Sequence, residues 1–296
     1  MRDVTESNAV TEPRRYGDEL AVVTVTYSPG ETLERFLDTL AEATEREPQV
    51  VLADNGSTDG VPERVAAERP NVRLLVTGEN LGYGAAANRG VAEFGDEYGW
   101  VIVANPDIEW GKGSIDELLK AASRWPRGGS FGPLIRETNG EVYPSARLLP
   151  SLGKGVGHAV VGRVWRDNPW TKAYRQSDTE VRERPAGWLS GSCLLLRREA
   201  FDSVDGFDPR YFMYFEDVDL GDRIGKAGWQ NVYVPSAEVV HIGGHSTSKA
   251  SAKMLEAHHL SAYRYMADRH QGAEWKPLLA AIKAGLKLRL KLETRK

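Results

Sequence analysis

The sequence predicts an α/β fold in which a mostly parallel, Rossmann-like sheet is flanked by helices and followed by a helical C-terminal extension. Short apolar runs rich in β-branched residues alternate with helical patterns along the first 110 residues. Right-handed β-α-β crossovers build a doubly wound sheet from that order. The chain has 296 residues, of which 41% are hydrophobic and 27% charged. This composition is typical of a globular protein and argues against disordered, fibrous and repeat architectures.

Four buried strands and three helices are expected in the first half. Each predicted strand is a short apolar run that ends at a cluster of turn-forming residues. The predicted strands span residues 20–26, 50–53, 72–76 and 100–104. The predicted helices between them cover residues 33–40, a segment ending at 68, and 83–94.

The second half is less regular. A helix is expected at 113–125 and a strand at 129–135, whereas residues 136–185 are rich in Pro, Gly, Arg and Trp and predict loops and hairpins. The remaining predicted elements are strands at 188–196, 231–234 and 238–240, a helix at 216–227 and two helices within 249–290.

Charge is distributed unevenly along the chain. The formal net charge is −4, yet residues 276–296 carry seven lysines or arginines and one acid, or +6, so the preceding residues sum to −10. A basic tail on an acidic body is typical of a segment that binds anionic lipid, although a solvated helix would have the same composition. No nucleic-acid partner is expected.

Cysteine usage and hydropathy bear on the location of the protein. Cys193 is the only cysteine and lies in an apolar run, which excludes an internal disulfide and indicates a reducing compartment. No uncharged apolar run approaches the roughly 18 residues of a membrane-spanning helix. The first 19 residues are acidic and lack the apolar core of a signal peptide. We therefore expect a cytoplasmic protein.

Polar clusters follow the predicted strands at the edge where doubly wound sheets bind ligands. Asp54-Asn-Gly-Ser-Thr-Asp59 follows the second strand. The Asp54 carboxylate could accept a hydrogen bond from a ring N–H, which uracil and thymine offer at N3 and cytosine lacks, so that the site would select a pyrimidine nucleotide. The alternative is a turn, because Asp and Asn side chains bond their own backbone two residues on.

Asn105-Pro-Asp107 follows the fourth strand and predicts a metal site. Asp107 is a candidate ligand of Mg²⁺ or Mn²⁺, hard cations that keep few protein ligands and share phosphate oxygens. Such an ion would neutralise a diphosphate leaving group, whereas a capped turn would explain the same residues without function. His241 and His245, at and after the end of a later strand, are candidate second ligands beside such a site and are otherwise structural.

Residues 82–90 allow two interpretations. Gly82-x-Gly84-x-x-Ala87, with Asp107 25 residues beyond Gly82, resembles a dinucleotide fingerprint and would indicate a nicotinamide-dependent oxidoreductase. That fingerprint should begin at the end of the first strand. Here five residues separate Gly82 from Val76, the last residue of the third predicted strand. The preferred interpretation is that small residues let a helix pack closely on the sheet beside a nucleoside.

Three acids, Glu216, Asp217 and Asp219, begin a predicted helix, where the exposed N–H groups and the dipole favour negative charge. The aromatic run at 211–215 precedes them and could stack on a sugar ring, although a buried strand would have the same composition. Asp217 and Asp219 lie roughly 200° apart on a helix, so only one of them can face a cleft. Asp219 can then pair with Arg223.

Six motifs in order resemble the family 2 inverting glycosyltransferases of the GT-A fold. They cover about residues 20–250 and are Thr26-Tyr27, Asp54-Asn-Gly-Ser-Thr-Asp59, Asn80-x-Gly82…Asn88-x-Gly90, Asn105-Pro-Asp107, Trp188-x-x-Gly191 and Phe215-Glu-Asp-Val-Asp-Leu220. Many relatives carry Asp at the position of Asn105, as the first Asp of an Asp-x-Asp motif. Its replacement removes one charge from the implied metal site.

The resemblance implies a role for each matching residue. Nucleotide contacts are implied for Thr26, Tyr27, Asp54, Asn80, Gly82, Asn88 and Asn105. Metal ligation is implied for Asp107 and His241, the role of catalytic base for Asp217, and substrate contacts for Trp188, Gly191 and Glu216. A non-catalytic sugar-nucleotide binding module is a further alternative, and it would not need the acids at 216–217.

Asn-Pro-Asp, Phe-Glu-Asp-Val-Asp-Leu and His-x-Gly-Gly-x-Ser together resemble the rhamnosyltransferase branch of the family. The branch implies a dTDP- or UDP-sugar donor, dTDP-L-rhamnose above all, and an acceptor sugar on a polyprenyl diphosphate such as N-acetylglucosaminyl-diphospho-polyprenol, in cell-wall polysaccharide synthesis. A lipid acceptor would explain a peripheral location on the inner membrane face, held by the basic tail. A homo-oligomer is compatible with the sequence.

The chain is accordingly divided into three parts. Residues 1–18 are polar and aperiodic and predict a disordered arm, residues 19–248 a GT-A catalytic domain, and residues 249–296 a basic helical extension. Within the domain, the nucleotide-binding half is expected at 19–110 and the acceptor-binding half at 111–248.

Overall fold

The computed structural model describes residues 16–150, 181–243 and 251–293. Within these ranges a ten-stranded sheet is covered by helices on both faces and is followed by two long helices. The predicted α/β class with a C-terminal helical extension is confirmed.

The first half contains four parallel strands joined by helices, as predicted. Its strands are β1 (Leu20–Thr26), β2 (Gln49–Asp54), β3 (Val72–Val76) and β4 (Trp100–Ala104). Its helices are α1 (Thr32–Ala43), α2 (Val61–Glu68) and α3 (Tyr83–Ala92). All seven residues of β1 are buried, which explains why its sequence is a continuous apolar run rather than an alternating one.

The second half adds eight strands, three helices and the extension. The strands are β5 (Ile108–Trp110), β6 (Gly128–Glu137), β7 (Val142–Tyr143), β8 (Ala146–Arg147), β9 (Arg184–Ala186), β10 (Trp188–Leu189), β11 (Cys193–Arg197) and β12 (Gln230–His241). The helices are α4 (Ser114–Arg124), α5 (Arg198–Asp202) and α6 (Glu216–Lys226). The extension consists of α7 (Ser251–Arg269), a 3₁₀ turn (Ala273–Trp275) and α8 (Lys276–Glu293).

The strand order of the main sheet is β3-β2-β1-β4-β11-β6-β12-β5, with β7 beside β6 and β9 beside β12. The first four strands are parallel, β11 is antiparallel to both of its neighbours, and β6 and β12 are parallel to each other. The chain leaves β1 towards β2 and β3 and returns to its other side at β4. The strand order therefore reverses between β1 and β4, the position at which such sheets bind ligands.

Three predicted strands differ from the observed ones. The run at 188–196 is interrupted at 190–192, so that β10 pairs with β8 in a separate two-stranded sheet while β11 joins the main sheet. The runs at 231–234 and 238–240 form one strand, β12, with a register shift between Val234 and Glu238. The bulge explains why the apolar pattern breaks there although the strand continues.

The core has one layer on each face of the sheet. Val22, Phe36 and Ile102 belong to the layer under α1 and α4, whereas Val23 and Ala86 belong to the layer under α3. A Cβ on Gly90 of α3 would overlap Val23. The small residues of α3 thus let the helix pack closely on the sheet, as preferred from the sequence.

Both ends of the described chain contact the domain. Tyr16 donates a hydrogen bond from its hydroxyl to Asp202 (2.8 Å), and the Gly17 N–H bonds the carbonyl of Asp96 (2.8 Å), so the predicted arm boundary at residue 18 is too late. Residues 1–15 lie outside the described ranges. At the other end, Tyr265 of α7 is 1% exposed in a small cluster with Trp188. No helix in the described ranges is both long and apolar enough to cross a membrane.

Candidate active site

The motif residues lie at the carboxyl edge of the sheet, around the reversal in strand order. β1 ends at Thr26, β2 at Asp54 and β4 just before Asn105. β12 ends at His241, paired with Ile108 of β5. The sheet therefore brings together polar residues that are more than 200 positions apart in the sequence.

Asp54 is buried (3% exposed) and its carboxylate holds the loop after β2. Oδ1 accepts hydrogen bonds from the Thr26 hydroxyl (2.7 Å) and the Ser57 hydroxyl, and Oδ2 accepts from the N–H groups of Gly56 (3.1 Å) and Ser57 (3.0 Å). Four protein donors use the roughly four acceptor sites of a carboxylate. The ring N–H of a nucleobase can therefore bond Asp54 only if the hydroxyl of Thr26 or Ser57 turns away.

Asn55, which the sequence reasoning did not single out, connects this loop to the one before α3. Its amide donates to the carbonyl of Gly82 (3.0 Å) and accepts from the N–H of Leu81 (3.3 Å) and the hydroxyl of Thr77 (3.2 Å). Asn80 closes the same loop by accepting from the N–H of Gly82 (3.0 Å). Asn55 could have been found from its place in the Asp54 motif, because buried amides need several partners.

Tyr27 and Asn80 remain accessible beside this loop. The Tyr27 side chain directly follows β1 and is 54% exposed, and Asn80 is also exposed. An exposed aromatic ring at the end of a central strand offers a stacking surface for a base or sugar. Both implied nucleotide contacts therefore stay as predictions that the geometry permits.

Asn88 has a different role from the one that the resemblance implies. Its amide nitrogen donates to the carbonyl of Phe207 (2.7 Å) and its amide oxygen accepts from the N–H of the same residue (2.9 Å). Both the nitrogen and the oxygen of the side-chain amide bond the backbone of Phe207. Asn88 therefore fixes the loop after α5 instead of reaching a nucleoside. The implied nucleotide contact of Asn88 is corrected accordingly.

The glycines of the dinucleotide-like pattern are explained by packing. A Cβ on Gly82, which has φ +83°, would overlap the carbonyl of Phe212, and one on Gly84 would lie 2.8 Å from Cβ of Phe207. These glycines face protein atoms of the second half, so they do not form a phosphate-binding turn. The oxidoreductase alternative finds no support in the structure.

Asp107, His241 and Asn105 form a compact group between β4 and β12. Oδ1 of Asp107 lies 3.1 Å from Nε2 of His241, which lies 3.4 Å from Nδ2 of Asn105. Two neighbouring ligands of an octahedral ion, each at roughly 2.1 Å, are about 3 Å apart, so the carboxylate and the imidazole fit one divalent cation. In the described ranges no third His, Cys, Asp or Glu joins them. His245 lies outside these ranges.

Asp217 is the second residue of α6, and both of its carboxylate oxygens accept backbone hydrogen bonds. The N–H of Gly191 donates to Oδ2 (3.0 Å) and the N–H of Val218 donates to Oδ1 (2.8 Å). Burial raises the pKa of Asp217, while these N–H groups and the charge of Arg147 act against that rise. A Cβ on Gly191 would lie 3.2 Å from Cβ of Asp217, so a larger residue there would press on the acid.

Glu216 is 8% exposed, and no donor among the described residues reaches its buried Oε2. Burial and then the charge of Asp217 raise the pKa of Glu216 to about 8. At neutral pH Glu216 therefore holds a proton, and Asp217 is the acid of the pair whose oxygens accept two N–H groups. Asp219 pairs with Arg223 (2.6 Å), as predicted.

Trp188, an implied substrate contact, is part of the core. It is 8% exposed, packs with Tyr211 and Val218, and donates its ring N–H to the carbonyl of Leu148 (3.1 Å). With its ring buried and its only donor used, Trp188 supports the turn before Gly191 and does not contact substrate. This corrects the implied role.

The aromatic run 211–215 is an irregular segment and not a strand. Tyr214 and Phe215 have φ of +67° and +66°, a conformation that costs roughly 1–3 kcal/mol for a bulky residue. The ring of His258 in α7 lies 5.4 and 5.6 Å from theirs, and Ser261 bonds the carbonyl of Met213 (2.9 Å). The extension thus holds the strained segment that leads into Glu216 and Asp217.

Comparison with known proteins places these features in a family. Residues 21–205 match the family model described as glycosyl transferase family 2. The N-acetylglucosaminyl-diphospho-decaprenol L-rhamnosyltransferase of Mycobacterium tuberculosis is 60% identical over 287 residues, which cover 94% of this chain and 94% of that protein. Rhamnosyltransferase WbbL of Escherichia coli is 29% identical over 198 residues, covering 65% of this chain and 72% of that protein.

Solved structures share the fold. A mannosyltransferase from Pyrobaculum calidifontis in complex with GDP-Man and Mn²⁺ superposes with a TM-score of 0.60 at 18% identity, covering 93% of this chain and 71% of that chain. Residues 1–349 of Staphylococcus aureus TarS with UDP-GlcNAc give 0.56 at 16% identity, covering 82% and 65%. The resemblance stated from the sequence motifs is confirmed: the chain belongs to glycosyl transferase family 2.

Proposed function

We propose that this chain transfers L-rhamnose from dTDP-L-rhamnose to the sugar of N-acetylglucosaminyl-diphospho-decaprenol or a similar polyprenyl diphosphate, with inversion at the anomeric carbon. The observation that carries the proposal is the Glu216–Asp217 pair at the start of α6, in which both oxygens of the Asp217 carboxyl group are fixed by backbone N–H groups. The relative that is 60% identical along nearly its whole length, and is named for this reaction, supports the choice of substrates.

Asp217 acts as the general base. A sugar hydroxyl is a weak nucleophile at neutral pH, so the base must remove its proton as the oxygen attacks the anomeric carbon. The new glycosidic bond forms on the face opposite the bond to the nucleotide diphosphate, which breaks with its electron pair. Asp217 keeps the proton. Glu216, neutral at this pH, donates or accepts a hydrogen bond without adding a second charge.

Asp107 and His241 would hold Mg²⁺ or Mn²⁺, with Asn105 beside them. When bound, a divalent cation supplies positive charge to the diphosphate leaving group. The fit of one carboxylate and one imidazole at 3.1 Å supports this assignment, as does the Mn²⁺ in the complex of the mannosyltransferase. The two protein ligands leave coordination positions for phosphate oxygens.

The nucleotide should be a uracil or thymine nucleotide. We expect dTDP and UDP to bind more tightly than CDP. Thymine and uracil offer a ring N–H at N3 to Asp54, and cytosine does not. Asp54→Ala should weaken dTDP binding by roughly 1–3 kcal/mol, the range for a charged hydrogen bond. Calorimetric titration measures both effects, with Ser57→Ala as a control that removes the competing hydroxyl and keeps the carboxylate. Equal affinity of the wild type for CDP would rule out this role of Asp54.

The reaction itself is tested with labelled dTDP-L-rhamnose and a synthetic GlcNAc-diphospho-polyprenol. We expect label to enter the lipid phase only when both substrates are present. UDP-glucose and GDP-mannose as donors, and polyprenyl diphosphate without GlcNAc as acceptor, serve as controls. Transfer from another donor at the same rate, with none from dTDP-L-rhamnose, would overturn the proposed substrates.

The extension would hold the enzyme at an anionic cytoplasmic membrane surface. In α8 the leucines alternate along the sequence because the helix has two apolar faces. One, with Leu279, Leu286 and Leu290, is buried or half-buried, and the other includes the exposed Leu278 (38%) and Leu288 (59%). The exposed lysines of α8 recur at spacings of seven, four and four and form one stripe between the first face and Leu288, namely Lys276, Lys283, Lys287 and Lys291. A helix that exposes both a lysine stripe and leucines is typical of interfacial helices.

We expect the full chain to bind vesicles that contain anionic lipid, and to lose binding in high salt. Exchanging Lys287 and Lys291 for Glu should weaken binding strongly, since each lysine near the surface contributes about 1 kcal/mol. Exchanging Lys112 and Lys120, two exposed lysines of the catalytic body, for Glu is the control matched for charge. If a chain that ends at Trp275 sediments with the vesicles as well as the full chain does, the extension is not the membrane contact.

A further inference from the structure

Tyr83, the first residue of α3, connects the nucleotide-binding half to both segments that flank the paired acids. Its hydroxyl donates a hydrogen bond to the carbonyl of Gly191 (2.7 Å), and its N–H donates to the carbonyl of Phe212 (3.0 Å). Its ring packs edge-on against Phe207 at 6.1 Å. Three contacts on two separate segments fix the direction in which the hydroxyl points.

Gly191 passes this constraint to Asp217. Gly191 is buried, accepts from Tyr83 at its carbonyl and donates from its N–H to Oδ2 of Asp217 (3.0 Å). Without a side chain, Gly191 has the freest backbone of any residue type, so its own conformation would not hold this N–H in place. Backbone hydrogen bonds hold the neighbours Ser190 and Ser192, and the hydrogen bond from Tyr83 adds a restraint on Gly191 itself.

We propose that Tyr83 is a positioning residue for the reaction: by holding Gly191, it keeps the Gly191 N–H on Asp217 and so orients the carboxylate that takes the acceptor proton. The inference rests on the proposed function and adds to it a residue from the opposite half of the domain. Tyr83 does not itself exchange a proton with substrate.

The electrostatics of the site support this role. Burial raises the pKa of Tyr83, and the charges of Glu216, Asp217 and Asp107 raise it further, so the hydroxyl remains a donor at any pH at which the enzyme would be assayed. Asp217 is faced by Glu216 of α6, Tyr83 of α3, Arg147 of β8 and the N–H groups of Gly191 and Val218. A loosened Gly191 N–H would stabilise the ionised Asp217 less, and the pKa of Asp217 would rise.

The test is Tyr83→Phe, which removes the hydroxyl and keeps the ring. We expect kcat to fall about tenfold, as for one lost hydrogen bond, with the dissociation constant for dTDP unchanged. The acid limb of the rate profile should move to higher pH, because a base with a raised pKa is protonated earlier as the pH falls. Amide exchange at Gly191, read from peptides covering 188–196, should become faster.

Tyr98→Phe is the matched control, because it also removes one tyrosine hydroxyl and the Tyr98 ring packs on Phe94 (4.8 Å). This variant should change neither kcat, nor the pH profile, nor amide exchange at Gly191. Unchanged kcat, pH profile and exchange in Tyr83→Phe would overturn the proposal. So would a fall in kcat accompanied by weaker dTDP binding and an unmoved acid limb, the pattern of a general structural defect. Exchange at Gly191 needs no substrate, so it decides the positioning role even if the wild type fails to transfer rhamnose.

Discussion

Asp217→Asn should reduce the turnover of sugar transfer by about 10²–10⁴, the usual contribution of general-base catalysis, while donor binding stays intact. The amide keeps the size of the side chain, and its oxygen can still accept the N–H of Gly191 or of Val218, which the carboxylate bonds at 3.0 and 2.8 Å. Only the basicity is lost. Single-turnover rates and calorimetric titration with dTDP separate the two effects.

Glu216→Gln is the control that distinguishes the neighbouring acids. Burial raises the pKa of Glu216 to about 8. Between the ordinary pKa of glutamate and about 8, the folded protein therefore binds a proton that the unfolded chain has released. The free energy of unfolding falls as the pH rises through this window. Glutamine does not titrate and so removes the cost of keeping this side chain protonated. The variant should therefore be folded and at least as stable as the wild type at pH 7. If Glu216→Gln is folded, binds donor and is inactive while Asp217→Asn is active, Glu216 is the base.

Asp107→Ala should abolish metal-dependent turnover and weaken the binding of the diphosphate, because the carboxylate is the only charged oxygen in the proposed Asp107–His241 site. His241→Ala should cause a smaller loss, since a neutral imidazole contributes no charge. Turnover measured against Mg²⁺ and Mn²⁺ concentration checks both variants. Thermal stability of each variant controls for loss of the 3.1 Å contact between the two side chains, which both substitutions remove.

Asn105→Asp offers a matched gain of function at the same site. It adds a second carboxylate beside Asp107, and added ligand charge increases the affinity of an oxygen site for a divalent ion. Half-maximal activity should then require less metal than in the wild type. Full activity of the wild type in EDTA would contradict the metal assignment and leave Asp107 as a turn residue.

The fold was predictable where the signal is local. β1 to β4 and the helices between them follow from apolar periodicity over short windows, and the polar residues that end these strands had to meet at one edge. The break at 190–192 was not predictable in this way, because it depends on contacts of Gly191 with Asp217 and with Tyr83, 108 positions away. A local pattern of apolar residues carries no information on such partners.

Residue type alone did not decide roles within the site. Asn88 and Trp188 match family motifs, yet their polar atoms bond the backbone at Phe207 and Leu148. Buried amides and indoles need partners whether or not a ligand is near, so the motif and the function are separable. In α8 the period-two leucines were ambiguous until the burial of Leu279 and the partial burial of Leu286 and Leu290 distinguished the two faces.

The central claim, a single displacement with Asp217 as the base, is tested most directly by the anomeric configuration of the product. Rhamnosyl lipid formed from dTDP-L-rhamnose is hydrolysed to the disaccharide, and the coupling constant at the anomeric carbon is compared with that of the donor by NMR. With a single displacement, we expect the opposite configuration in the product. Retention of the donor configuration would contradict it, because retention requires a covalent intermediate or attack from the leaving-group face.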